Sequence, residues 1–253
     1  MFDAVFWGLI QGLTEFLPVS SSGHLVLVPE LFGREGPDLA TSALLHLGTL
    51  SALLVYFRRE LLTMVRRTDE GRRLLGFVVV GTIPAVIVGF TLRDMFDRMN
   101  ERPVGVAVAM IVAGVGMVAT RWLPVGSRTQ SDVGMRDGLV IGLGQAFALI
   151  PGISRSGATI GTGMARRFEH REAATLAFIL GIPAMAGAGL LSFIDLADAG
   201  GADITGSLLV GMGVAALVGY AAIAGLLRLI QRTGLAPFGV YCVLFGALSL
   251  VLI

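Results

Sequence analysis

Lysine is missing from this sequence, and all 19 basic side chains are arginine. Against 18 acids they leave a net charge of +1, so no basic field exists to recruit nucleic acid. Charge of any kind is scarce: 15% of residues are charged and 55% are hydrophobic, with a mean hydropathy of +0.81. That leaves too little polar surface to clothe a soluble fold, and the composition is that of an integral membrane protein. There is one cysteine, Cys242, in an apolar run, which excludes a disulfide framework and a thiolate metal site; it reads as a lipid-facing or packed residue. The first residues lack the basic flank and cleavage pattern of a signal peptide, so Met1 onward reads as mature protein.

What is present in abundance is apolar sequence of membrane length. Crossing roughly 30 Å of hydrocarbon takes about 20 apolar residues. Six charge-free stretches come close to that or exceed it: Ala40 to Phe57, Leu74 to Leu92, Pro103 to Thr120, Ala173 to Ile194, Ile204 to Leu227, and Leu235 to Ile253. Two shorter apolar segments, Ala4 to Thr14 and Gly138 to Gly152, each end in a Pro/Gly/Ser loop followed by another short apolar piece. They read as re-entrant hairpins. The expected fold is therefore an all-α polytopic membrane protein with six spanning helices and two re-entrant helical hairpins.

Arginine position sets the orientation, because arginines near helix ends stay cytoplasmic. The segment Arg58 to Arg73, the region holding Arg121, Arg128, Arg136, Arg166, Arg167 and Arg171, and the pair Arg228 and Arg232 fall on one side. The opposite loops hold Arg34, Arg93, Arg98 and Arg102, and the connection Asp195 to Asp203 is acidic. Both termini are expected outside. The first hairpin then enters from outside and the second from the cytoplasm.

An internal repeat agrees with this. DAVFWGLIQGLTEFLPVSSSG (Asp3 to Gly23) and DGLVIGLGQAFALIPGISRSG (Asp137 to Gly157) align without a gap and share seven of 21 residues. Three spans separate them, so the halves have opposite orientation, an inverted-topology repeat of residues 1–125 and 126–253 forming one membrane domain. Gly187, Gly189, Gly211 and Gly213 are expected to allow close helix packing.

The chemistry-bearing residues cluster in the two hairpins. Glu15 follows Gln11 by four positions, so on a helix the two share a face. Pro18 stops that helix, and Ser20, Ser21, Ser22 and Gly23 form a loop whose hydroxyls and N–H groups can converge on an anion, with His24 beyond. The second hairpin reads PGISRSGAT and places Arg155 deep in the bilayer, flanked by Ser154, Ser156 and Thr159. An arginine there costs about 2.5 to 3.5 kcal/mol even on a lenient scale, so it must be paired or face a wet cavity. Its planar fork matches phosphate oxygens; a structural ion pair from Arg155 to Glu15 is the alternative reading. Ser20 and Ser22 also suit helix capping, and His46 and His170 read as structural and solvated respectively.

QGLTEFLPVSSSGH and PGISRSGAT resemble the two signature motifs of the undecaprenyl-diphosphatase (bacitracin-resistance) family, and length, helix count and repeat agree along the chain. The resemblance implies a phosphatase of the bacterial plasma membrane that hydrolyses undecaprenyl diphosphate to the monophosphate and inorganic phosphate, with its site opening to the outer face. It implies that Glu15, and to a lesser degree Gln11, hold a divalent cation, Mg2+ or alternatively Ca2+, that Ser21 and His24 belong to the reacting centre, and that Arg155 binds the diphosphate. Ser20, Ser22, Ser154, Ser156 and Thr159 fall among the motifs' polar, substrate-binding positions. Gln11 stands where the family also uses glutamate, so this variant's metal site carries one less negative charge. The implied partners are the polyprenyl diphosphate and the bilayer, with no nucleic acid; a homodimer is left open.

The residues alone support the same chemistry. Hydrolysing a diphosphate needs cations on its oxygens, an in-line nucleophile and a proton carrier. Ser21 beside His24 offers a nucleophile and its base, while His24 attacking phosphorus with Ser21 binding substrate is the other assignment. Inverted repeats also build ion-coupled transporters, and a polyprenyl-phosphate flippase would equally use an arginine cleft. Transport has no use for a nucleophile.

Overall fold

The computed structural model describes residues 1–66, 68–198 and 205–253, without the side chains of Phe193 and Leu196. Arg67 and the stretch 199–204, with Asp203 and the expected start of the fifth span, lie outside the described residues. Among the described residues there is no strand, only an isolated bridge between Arg128 and Phe168. Twelve α-helices follow in order: α1 (Phe2–Phe16), α2 (Ser21–Phe32), α3 (Leu39–Tyr56), α4 (Arg58–Val65), α5 (Asp69–Thr91), α6 (Arg93–Asn100), α7 (Pro103–Ala119), α8 (Met135–Phe147), α9 (Arg155–Ala165), α10 (His170–Asp198), α11 (Gly206–Thr233) and α12 (Ala236–Leu252). A helix satisfies its own backbone, which is what an apolar surround demands. The unpaired first N–H groups are met by short polar side chains: Asp38 accepts from Thr41 N at 2.7 Å and Thr68 from Gly71 N at 3.1 Å.

Among the described residues, five helices are long and apolar enough to cross a membrane: α3, α5, α7 (running on to Trp122), α10 (to Ser192) and α11. The sixth expected stretch is helical as α12, apolar but 17 residues long. The chain is a multi-pass membrane protein. In its described residues the arginine-rich segment Arg58 to Arg73 is largely helical. It forms the short helix α4, with no buried residue, and the start of α5. Arg93 to Asn100 is likewise helical, as α6. Arginine and leucine are good helix formers, so a charged stretch need not be irregular.

Packing is built on small residues. α1 lies along α11, where a Cβ on Gly8 would stand 2.6 Å from the carbonyl oxygen of Gly211; α8 lies along α5, where a Cβ on Gly142 would stand 2.2 Å from that of Gly81. Of the four glycines expected to pack closely, Gly211 does, Gly189 makes only ordinary contact, and Gly187 and Gly213 face open space. α7 packs on α12, and α3 on both α10 and α11. Phe16 of α1 meets Phe178 of α10 edge-on with centroids 5.8 Å apart, and Phe57 lies 5.9 Å from Phe178. These rings pack the C-terminal ends of α1 and α3 against α10.

Asp137, at the start of α8, is clamped by Arg128 at 2.9 and 2.7 Å and by Arg166 at 2.9 Å. Burial pushes its carboxyl up, but the hydrogen bonds from Arg128 and Arg166 outweigh that and hold it below the ordinary carboxylate range. These two arginines, read from sequence as orientation markers, thus also tie the connection before α8 to the end of α9.

Candidate active site

Proline chemistry opens the first tip. α1 stops at Phe16; Leu17 is extended (φ −61°, ψ 139°), as a residue before proline must be. The chain then passes through Ser20 at φ 68°, a left-handed conformation rare for serine, which turns its hydroxyl and carbonyl onto the new helix. Ser20 Oγ accepts from Gly23 N at 3.1 Å, and Ser20 O lies 2.8 Å from His24 Nδ1. In the second tip Gly152 takes φ 93°, and a Cβ there would strike the carbonyl oxygen of Val106 at 2.3 Å. Ser154 Oγ then accepts from Gly157 N at 3.1 Å and opens α9, whose first residue is Arg155.

The two tips meet. Gly152 N donates to Ser22 Oγ at 3.3 Å, and Ser156 Oγ donates to the carbonyl of Leu17 at 3.2 Å, so each hairpin satisfies backbone groups left open by the other. Between them sits Glu15. Its Oε1 accepts from Arg155 Nη2 at 2.5 Å, and its Oε2 accepts from Ser21 Oγ at 2.7 Å and from Gln11 Nε2 at 3.0 Å. The other guanidinium nitrogen, Nη1, donates to Gly181 O at 3.2 Å, and Gly181 leaves the room this needs. The ion pair that the sequence offers as the alternative reading of Arg155 is therefore present, with the nucleophile candidate hydrogen-bonded to its carboxylate.

A cavity of about 200 Å³ opens beside this pair, lined by Thr14, Glu15, Ser20, Ser21, Ser22, His46, Arg155 and Ser156 among others. Not every expected residue faces it. Gln11 is fully buried behind Glu15. Thr159 Oγ1 donates to the carbonyl of Arg155 at 2.8 Å and braces α9 from within. His24 is turned away: a carbonyl can only accept, so Nδ1 carries the proton toward Ser20, and in the neutral ring Nε2 accepts from Tyr241 Oη at 2.7 Å. The imidazole also stacks on Phe245 with centroids 4.7 Å apart and on Tyr241 at 5.7 Å. Ser21 and His24, expected as nucleophile and base, are thus not joined; Ser21 has Glu15 instead. His46 is the residue that sequence reasoning set aside. It lines the cavity, and an ionisable side chain alone in an apolar span was the signal that pointed to it.

A second, apolar trough of about 430 Å³ runs between α7, α8 and α9, past Val112, Gly116, Phe147, Ala158, Gly161 and Ala165. It shares Ile153 and Ser154 with the polar cavity. A charged pocket and an apolar trough therefore adjoin across one turn of chain, which suits an amphiphile with an anionic head.

The family profile described as "Bacitracin resistance protein BacA" matches residues 4–248. The chain is similar to the undecaprenyl-diphosphatase of Thermomicrobium roseum, 39% identical over 277 residues that cover 100% of this chain and 98% of the relative. It is similar to that of Desulforudis audaxviator at 41% over 259 residues, with 99% and 97% covered, and to undecaprenyl-diphosphatase 3 of Bacillus cereus at 35% over 251 residues, with 99% and 96% covered. With both signature tips meeting at one ion pair and the match running from end to end, this chain belongs to the bacitracin resistance protein BacA family.

Proposed function

We propose that this protein is a membrane phosphatase that hydrolyses undecaprenyl diphosphate to undecaprenyl phosphate and inorganic phosphate, returning the lipid carrier to cell-wall synthesis. The observation that carries this reading is Ser21 hydrogen-bonded to Glu15 at 2.7 Å, opposite Arg155, in a cavity that adjoins an apolar trough. In the reaction the diphosphate displaces Glu15 from Arg155, whose fork takes two phosphate oxygens. Ser21 Oγ attacks the terminal phosphorus while its proton passes to Glu15 Oε2; the bond from phosphorus to the bridging oxygen breaks, and the lipid monophosphate leaves with that electron pair. Water then cleaves the phosphoserine, restoring Ser21 and freeing phosphate. The geometry favours Glu15 over His24 as the base, and a nucleophile held on a carboxylate is surplus to a flippase or an ion-coupled transporter.

A divalent cation fits the donors. Gln11 Oε1 is buried without a hydrogen-bond partner among the described residues; Gln11 turns its Nε2 to Glu15, and exchanging the two ends of this amide would set the oxygen beside the Glu15 carboxylate as a hard ligand suited to Mg2+ or Ca2+. Among the described residues no group of three His, Cys, Asp or Glu side chains comes together, so substrate oxygens and water would complete the sphere. When bound, the ion neutralises charge on the diphosphate oxygens. The test of the whole reading is phosphate release from a polyprenyl diphosphate by the purified protein in detergent, where transport cannot occur. Metal-dependent release supports it, and intact substrate after prolonged incubation refutes it.

For topology we favour six spans, two re-entrant hairpins and an inverted repeat, in the bacterial plasma membrane with both termini and the site outside. Reciprocal packing supports this: α1 of the first half lies on α11 of the second, and α8 of the second on α5 of the first. Left-handed residues also recur at matching places, Gly33 at φ 57° after α2 and Arg167 at φ 69° after α9. Single cysteines at positions 68 to 70 in a Cys242→Ser background should resist an impermeant thiol reagent added outside; prompt labelling there would overturn the orientation.

A further inference from the structure

The two buried-helix histidines make the same local bond and use their rings differently. In α3, His46 Nδ1 lies 2.8 Å from Ser42 O, four residues back, just as His24 Nδ1 lies 2.8 Å from Ser20 O. A carbonyl can only accept, so in both rings Nδ1 carries the proton and the neutral ring leaves a lone pair on Nε2. In His24 that lone pair is spent on Tyr241. In His46 it has no hydrogen-bond partner among the described residues, and the ring lines the cavity that holds Glu15, Ser21 and Arg155.

Neutral His46 has nothing to donate to a phosphate oxygen; the imidazolium does. The charges around it are few. Glu15 faces it from α1 and Arg155 from α9, and these two are paired with each other; α2 contributes the hydroxyls of Ser21 and Ser22. α10 and α11, packed on the other faces of α3, carry no titratable side chain from Ala173 to Ile194 or from Gly206 to Gly219. A diphosphate entering this cavity brings up to three negative charges to a site where Glu15 and Arg155 offset each other and a divalent cation, when bound, cancels two, so one charge is left to be met. Protonating the one free imidazole nitrogen is the available response, and it converts an acceptor into a charge-assisted donor.

We propose that His46 is a substrate-binding residue, protonated as the diphosphate binds and donating Nε2–H to one of its phosphate oxygens beside Arg155. This rests on the phosphatase reading and adds to it: substrate binding takes up a proton, and affinity falls as pH rises, because the binding form of the ring is the protonated one.

The experiment compares wild type with His46→Gln and His46→Leu in metal-supplemented detergent, measuring kcat and KM for polyprenyl diphosphate from pH 5.5 to 8.5. Glutamine supplies a neutral donor of similar reach. In wild type KM is expected to rise with pH; in His46→Gln that part of the rise is lost, leaving only the dependence due to the diphosphate's own ionisation. His46→Leu is expected to raise KM about tenfold or more at pH 6 with kcat changed far less, the loss of one charge-assisted bond. Calorimetry with a non-hydrolysable methylene analogue of the diphosphate, in buffers of different ionisation enthalpy, should register uptake of close to one proton in wild type that is absent from both variants. Identical KM–pH curves in all three proteins, or equal proton uptake in wild type and His46→Leu, would overturn the proposal. If wild type hydrolyses no polyprenyl diphosphate, the phosphatase reading fails by itself, while the analogue's proton count still decides the role of His46.

Discussion

In the first hairpin Ser20 caps Gly23 at 3.1 Å, and in the second Ser154 caps Gly157 at the same distance. Gln11 and Gln145 stand at matching places and are both buried, as do Ser22 and Ser156, which reach across to the opposite tip. Among the places where the hairpins diverge, three bear on chemistry: Glu15 against Leu149, Ser21 against Arg155, and His24 against Ala158. The shared positions build the two tips and join them, whereas the divergent ones supply an acid, a nucleophile and a cation. A single ancestral pattern can therefore give a symmetric frame whose function lies in its asymmetry, since two glutamates or two arginines facing each other at the junction would repel without a counter-charge.

Substitutions that separate frame from chemistry sharpen that contrast. The largest effect is expected at Ser21, where alanine should abolish turnover, a loss on the order of 10⁴ or more in kcat if it is the nucleophile. An acid and alkali quench during turnover with labelled substrate checks this: the phosphoenzyme should survive acid and be lost in base, and the reverse lability would move the nucleophile to a histidine. Next comes Arg155→Lys, which should fare nearly as badly as Arg155→Ala, about 10² to 10³ down in kcat/KM, because an ammonium cannot grip two oxygens in a plane. A lysine variant retaining most of its activity would reduce Arg155 to a general positive charge. Smaller and opposite effects distinguish the paired glutamines. Gln11→Met, which removes a hydrogen bond to Glu15, should cost roughly tenfold in rate. Gln145 has both amide atoms buried without a partner among the described residues. Its replacement by methionine should leave activity intact and raise thermal stability by about 1 to 2 kcal/mol, and a destabilised Gln145→Met protein would contradict this account.

Much of the site could be read locally. Gln11 and Glu15 are four apart on one helix, and their hydrogen bond follows from that spacing. Arg155 announced a buried partner through the cost of placing it in hydrocarbon, and the partner is the acid of the other tip. What was illegible depends on how distant helices rotate against each other. His24 points away from Ser21 because Tyr241, 217 positions on, and Phe245 hold its ring, and no local pattern encodes that stack. His46 faces the cavity because α3 is turned by its packing on α10 and α11. The helices α4 and α6 are charged yet regular, because arginine is a good helix former and a run of charge does not by itself mark an irregular backbone.

The bond from Arg155 to Glu15 also bears on how a catalytic cycle ends. Glu15 is a permanent competitor for the guanidinium, tethered at hydrogen-bond distance and therefore present at high effective concentration. A diphosphate with two or three charges can outcompete it, but inorganic phosphate and the lipid monophosphate carry fewer charges each and contest it less well. Once the phosphoserine is hydrolysed and Glu15 is again a carboxylate, it would recapture Arg155 and expel the phosphate, so that the residence time of that product is limited by a carboxylate belonging to the enzyme itself.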